Sequence, residues 1–568
     1  MQPIGLSVRD FFVNLRQRLD IDTLTFATLM AVIGAFLVVF LMIPLWAMLS
    51  RSLSDNRHEF VGLDNFSTYF NTPALFQVAQ NSLIIASISA VLVVILAFLY
   101  AYALTRTCIP FKNFFRIVSL IPILAPSLLP AIALIYIFGN QGFLKEWLFG
   151  ASIYGSIGIV IGISFWIFPH ALMILTISLS NSDARLYEAA KVLRAGPIRT
   201  FFTVTLPTVR YGLISAFFVA FTLAIADFGV PKVIGGQYNV LATEIYKQVI
   251  GRHDFSMGAV VGVVLLIPVF LAFVMDRIVQ RRQVALLSAR AVPYIPKPAW
   301  LRDSLFLVFC SVIALILLGI MGVAAYASFI QFWPYNLSFT LDNYRFDLMD
   351  GGGWGSYWNS VQMASWTALL GTIIVFIGAY IIEKTRRFEH VRTGLHLMAM
   401  LPMAIPGMVL GLGYVFFFNL PDNPFGWLYH TMAILVLSTV VHYYTVSHLT
   451  AITALKQLDA EFESVSASLK APAYKTFFRV TLPVCAPAAL DISVYFFVNA
   501  MTTVAAVVFL YGPDTTLASV AVLNMDDAGD IAPAAAMAMM IVYTSLTIKL
   551  MHWLLTRGVL ARSQSWKR

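Results

Sequence analysis

The sequence predicts an all-α, polytopic membrane protein: twelve transmembrane helices as two parallel six-helix repeats, each with a short cytoplasmic helix between its fourth and fifth spans. Three observations predict it. Hydrophobic residues make up 60% of the chain and charged residues 11%, with a mean hydropathy of +0.82. That is more apolar surface than a water-soluble core requires, so the solvent is a lipid bilayer. Charge-free stretches cover 23–50, 65–105, 117–144, 147–182, 255–275, 304–341, 351–382 and 423–455. Each exceeds the roughly 20 residues a helix needs to cross the hydrocarbon layer. Finally, Leu193–Pro207 aligns without gaps on Leu469–Pro483, 276 residues later, with nine of 15 positions identical and two more exchanging Arg for Lys.

Taken in order, residues 1–25 form a cytoplasmic N-terminal segment. The first span is too long for the apolar region of a signal peptide and reads as a retained helix. The first half, 26–275, holds six spans at about 26–49, 82–104, 117–139, 155–179, 209–227 and 257–275, placed by length and loop signals. Residues 276–303, with Arg277, Arg281, Arg282, Arg290 and prolines at 293, 296 and 298, form a cytoplasmic linker between two ancestral units. The second half, 304–555, repeats the pattern at about 304–329, 358–382, 395–419, 430–454, 485–510 and 532–555, and 556–568 is a cytoplasmic tail.

Lysine and arginine set the orientation. With the N-terminus inside, 29 of the 37 fall on the cytoplasmic side and seven outside, with Lys549 near a helix end. This bias predicts both termini in the cytoplasm. Six spans per half give the two repeats one orientation, related by an axis along the membrane normal. The repeat continues beyond the loops: Pro122 and Pro126 match Pro402 and Pro406, and Asn81-Ser82 matches Asn359-Ser360.

In the first repeated loop, Glu188-Ala189-Ala190 leads into Lys191-Val192-Leu193, a stretch of good helix formers that Gly196-Pro197 breaks and Pro207 closes. A short helix along the cytoplasmic face, exposing small residues, suits a partner's groove and can push on two membrane helices.

Glu-Ala-Ala, a turn and a hydrophobic-Thr-Leu-Pro ending resemble the EAA loop of ABC importer permeases. The resemblance implies that this loop is a coupling helix docking on a separate ATPase subunit. Two copies in one chain resemble the fused-permease branch, which includes iron(III), thiamine and phosphonate importers. It implies two copies of the ATPase, a periplasmic solute-binding protein and a place in the bacterial inner membrane. ATP and Mg would be bound by the partner, with no cofactor in this chain. On the matching positions, the first coupling loop comprises Glu188, Ala189, Ala190, Arg194, Gly196 and Pro207, and the second Glu463, Ser464, Lys470, Pro472 and Pro483. The family's glycine six residues after the Glu is here Arg194, with Gly196 two residues on. In the second copy Ser464 aligns with Glu188, the acid sits at Glu463, and the glycine position is Lys470. The stretches 226–236, 406–414 and 462–470 further resemble the fused permeases of 2-aminoethylphosphonate importers, the first being shared in part with iron(III)-type permeases.

Other chemistries find little support. No Gly-x-x-x-x-Gly-Lys-Ser/Thr loop occurs, so this chain does not bind ATP in that way, and no metal-ligand or nucleophile constellation is present. Basic residues lie in short groups between spans, which is a positive-inside pattern and no nucleic-acid stripe. Cys108, Cys310 and Cys485 fall in or beside cytoplasmic loops, so disulfides are not expected. Asp227, Asp491 and Lys549 are the ionisable residues within spans; a structural role is expected for each, with Asp491 pairing to a basic loop residue. His442 and His448 read as packed residues. Glycines at 407–413, beside Pro402 and Pro406, suggest a kinked pore-lining helix, and those at 351–355 an outer loop within reach of a binding protein. The outer loops of the second half are acidic: Asp342, Asp347, Asp350, Asp514, Asp526, Asp527 and Asp530.

From another class, a secondary transporter also fits two parallel six-span halves. Such a carrier usually needs titratable residues mid-span, and this chain has almost none.

Overall fold

The computed structural model describes residues 21–286, 292, 294–385, 388–459, 461–469 and 471–563. Eight helices are long and apolar enough to cross a bilayer: Asp22–Ser52, Pro73–Arg106, Ser156–Ser180, Pro197–Ala226, Phe255–Gln280, Trp300–Ser328, Gly353–Lys384 and Ile531–Thr556. Four bent pairs complete twelve spans when each counts as one: 112–138, 389–418, 432–456 and 473–502. On span 2, Ile84, Ile88, Val91 and Ile95 face outward, as a lipid-exposed stripe must.

The matched prolines do more than kink their spans. Spans 3 and 9 turn by 104° and 111°, through one 3-10 turn at Ile121–Leu124 and another at Leu401–Ala404. Proline supplies no N–H and forces the residue before it out of the helical region. Ala125 and Ile405 are accordingly extended, with ψ of 140° and 114°. The helix stops and restarts in a new direction, so the expected kink is in fact a break. Spans 10 and 11 bend by 57° and 74°, at Tyr443 and Cys485.

Spans 5 and 11 also begin earlier than the hydropathy suggested, at Pro197 and Ala473. Pro207 and Pro483 therefore lie inside helices and close no loop. The π-type turns at Phe201–Thr205 and Phe477–Thr481 widen the helix just before each proline, where the missing donor breaks no α-type bond. Span 6 runs on to Leu286, into the stretch read as linker. Cys310 sits buried within span 7, away from any loop; all three cysteines are free.

Each half lends its first span to the other. Span 1 packs on Gly407–Phe418 of the second half, and span 7 packs on Leu128–Phe138 of the first. A hydrocarbon solvent gives apolar helices little reason to associate, so close backbone approach must supply the packing. A Cβ on Gly413 would lie 2.7 Å from the Pro44 carbonyl of span 1, and one on Gly407 would lie 3.1 Å from Ala505 and Ala506. Tyr414 seals the same seam by donating to the Phe40 carbonyl at 2.7 Å. The glycines at 351–355 are likewise packed inward in part: a Cβ on Gly351 would meet Ala521 at 3.0 Å.

Candidate functional site

The two repeated loops form the same structure twice, at the same end of both halves. In the first, the Asp183 side chain accepts from the Arg185 N–H at 3.0 Å and so caps helix α1 (Ala184–Val192). The Ala195 N–H returns to the Ala190 carbonyl at 2.9 Å, and that of Arg194 to Lys191 at 3.0 Å, a two-bond ending that needs a left-handed residue. Arg194 is that residue, at φ +54°. The family's glycine position thus keeps the glycine conformation without the glycine. Gly196 is no substitute for it, with φ −67° and ψ 167°.

After two further short helices, α2 (Gly229–Ile234) and α3 (Leu241–Tyr246), at the far end of the first half, the second half repeats the design. Its loop helix is α4 (Glu461–Ser468). The Ala471 N–H returns to Ser466 at 3.0 Å, and Pro472 starts the next turn. Lys470, the counterpart of Arg194, and the Glu463 side chain lie outside the described residues.

Glu188 and Ala189 face solvent, Ala190 is buried, and Ser464 is exposed. Around them, large apolar side chains stand in water at matching places. Leu193 is 79% exposed and Leu469 75%; Phe202 is 61% exposed and Phe478 62%. Leu186 and Ile198 match Phe462 and Tyr474 in the same way. Beside α4 a groove of about 440 Å³ is lined by Phe462, Val465, Leu469, Lys475, Thr476 and Arg479. Exposed apolar side chains clustered on a polar face mark a docking surface, and here the surface occurs twice.

Each loop is held from the opposite half, the first by the linker that leads into span 7 and the second by the start of span 1. Tyr187 of α1 donates to Thr205 at 3.2 Å and packs, tilted by 51°, with its ring 4.6 Å from that of Tyr294 of the linker. The buried Arg106 guanidinium lies over both rings at 5.1 and 4.5 Å and donates to the Leu179 carbonyl at 2.7 Å. At the second loop, the Ala473 N–H donates to Asp22 at 3.0 Å. Sequence reading did not single out Arg106, Tyr187, Tyr294 or Asp22; a basic residue ending span 2 beside a tyrosine-bearing loop was the available signal.

Two of the ionisable candidates within spans, Asp227 and Asp491, have structural partners. Asp227 accepts from the Val230 N–H at 3.0 Å, capping a helix start. Asp491 lies 3.0 Å from His552 of span 12; its partner is another span, not the basic loop residue expected, because Ile531–Ser563 packs along span 11. Lys549 is half-buried in the same helix. His448 faces His396 at 3.4 Å, and no group of three metal-ligating side chains forms among the described residues. Asp276 was missed because span 6 was ended one residue too soon. It is buried and accepts from Ser215 at 2.6 Å and Gln280 at 2.7 Å.

Two halves of one topology, each built of membrane-spanning helices and presenting the same apolar-studded helix, define a duplicated membrane permease. The chain belongs to the family described as the binding-protein-dependent transport system inner membrane component, which it matches over 94–284 and again over 371–560. Members are transport permease subunits, not enzymes, and work with an ATPase and a solute-binding protein. The ferric transport system permease protein FbpB of Actinobacillus pleuropneumoniae is 29% identical over 510 residues, covering 87% of this chain and 73% of that protein. The spermidine/putrescine transport system permease protein PotB of Escherichia coli is 25% identical over 249 residues, covering 41% of this chain and 90% of its own. That relative thus aligns over less than half of this chain.

Arg194→Gly should stabilise the end of α1 by about 1 kcal/mol, because glycine adopts positive φ without the Cβ clash. Amide exchange across 184–195 should slow several-fold, and Gly196→Ala should leave it unchanged, since a Cβ there meets nothing within 4 Å. Unaltered exchange in Arg194→Gly would show that the arginine is unstrained.

Proposed function

We propose that the chain is the complete membrane pathway of an ABC importer, with one ATPase copy docked under α1 and another under α4. The coupling loops face the cytoplasm, in line with the excess of lysine and arginine on that side. ATP-driven closure of the two ATPases would push on both loops and alternate the opening of the seam between halves. Two matching surfaces on one chain support the copy number.

The proposed solute is a small organophosphonate, 2-aminoethylphosphonate. The observation carrying it is the resemblance concentrated in 226–236, 406–414 and 462–470. A binding protein would hold the phosphonate and release it at the outer mouth, so the permease needs no basic pocket. The acidic outer loops suit a zwitterion with an amine. A second reading, iron(III), is favoured by the name of the FbpB relative and by the shared 226–236 stretch. Growth on 2-aminoethylphosphonate as sole phosphorus source should fail in a clean deletion and return on complementation. Normal growth in a deletion strain without a second phosphonate importer, together with defective iron uptake, would move the assignment to iron.

A further inference from the structure

At the end of the molecule opposite the coupling loops, the two halves meet through charge. Lys232, on α2 of the first half, lies 2.9 Å from Asp527, near the end of α5 (Ala518–Ala528) in the second half. Its ammonium also sits 5.3 Å above the Tyr246 ring. Tyr246 in turn lies 5.3 Å from Phe228 and 6.3 Å from Phe509 of the second half. An ion pair and an aromatic layer therefore close the seam together. Beside Asp527, burial and then the neighbouring carboxylate push Asp526 up to about 7, while Lys232 pulls it down. One cation thus serves two carboxyl groups.

Internal symmetry shows that this arrangement occurs once. Ser82 accepts from the Leu241 N–H at 2.7 Å, and Ser360 accepts from the Ala518 N–H at 2.7 Å. Asn81 donates to the Asn239 carbonyl and Asn359 to that of Thr516, both at 3.1 Å. These bonds set α3 on α5 with an offset of 277 residues, while the helix ends at Asp227 and Thr503 are offset by 276. By the same offsets, Lys232 corresponds to Val508 and Asp527 to Ile250. The twin position is apolar on both sides. A pair needed only to glue duplicated halves has no reason to appear on one side alone.

We propose that Lys232 and Asp527 are the latch of the outer gate, an ion pair that must break each time the halves part to admit solute. Half-exposed ion pairs are weak, in the range of about one kcal/mol, which suits a contact made and broken in every cycle. Asp526 gives the lysine a second acceptor as the halves slide. The proposal is the same for a phosphonate or for iron.

The test uses the full complex with its ATPase in nanodiscs, with ATP as the probe. Lys232→Cys with Asp527→Cys, joined by a short bis-methanethiosulfonate cross-linker that forms two reducible disulfides, should lose ATP turnover by about tenfold and regain it on reduction. Single-cysteine variants given the same reagent should keep theirs. Undiminished turnover in the cross-linked complex would overturn the latch, because a static seam tolerates the tether. Separately, Lys232→Met should raise labelling of Tyr246→Cys by a membrane-impermeant maleimide about fivefold without ATP, the change expected from losing about 1 kcal/mol. Labelling equal to that in the Lys232 background, with the complex intact, would also overturn it.

Discussion

Glu188→Lys is expected to abolish transport and to release the ATPase subunit while leaving the permease folded. The residue stands exposed on α1, between a capped start and a left-handed end that fix the helix rigidly. Placed in a partner's groove among Leu186, Leu193 and Ile198, a reversed charge would be desolvated without a counter-ion. Truncating or reversing one member of a buried interfacial charge pair costs about 2–5 kcal/mol, or roughly 30- to several-thousand-fold in affinity. Ser464→Lys should do less, because the second loop carries no acid at the aligned place. Co-purification of the ATPase and solute uptake at matched expression would measure both. Equal losses in the two variants would remove the asymmetry between loops.

Gly413→Val should prevent the two halves from closing on each other. A Cβ at this position falls 2.7 Å from a backbone carbonyl of span 1, which cannot swing aside as a side chain can. Overpacking of this kind costs about 3 kcal/mol or more, enough to unfold a marginally stable protein. Gly394→Val is the matched control, since a Cβ there meets nothing within 4 Å. Thermal midpoint and monodispersity in detergent should collapse in the first and hold in the second. A folded, wild-type-like Gly413→Val protein would show that the span 1 seam absorbs the added side chain without strain.

Much of this protein was legible in its sequence because the determining patterns are local and repeated. Length, charge and loop signals together give up to twelve crossings, since a bilayer penalises any charge left inside it. Duplication exposed the two repeated loops, whose matching residues survive over Leu193–Pro207 and Leu469–Pro483. The left-handed turn at Arg194 could be suspected from the missing family glycine, yet its φ was visible only in the backbone.

The sequence by itself determined the membrane class, the two-fold repeat and the position of the two repeated loops. Only the tertiary structure decided how the halves interlock. Exchange of first spans, the grip of Tyr294 and Asp22 on the opposite repeated loops, and the Lys232–Asp527 contact all join residues at least 107 positions apart. Hydropathy is a sum over neighbours along the chain, so it reads burial in lipid but is blind to which helix lies alongside. That choice rests on glycine-sized gaps, single hydrogen bonds and one charge pair, which acquire a partner only when the chain is folded.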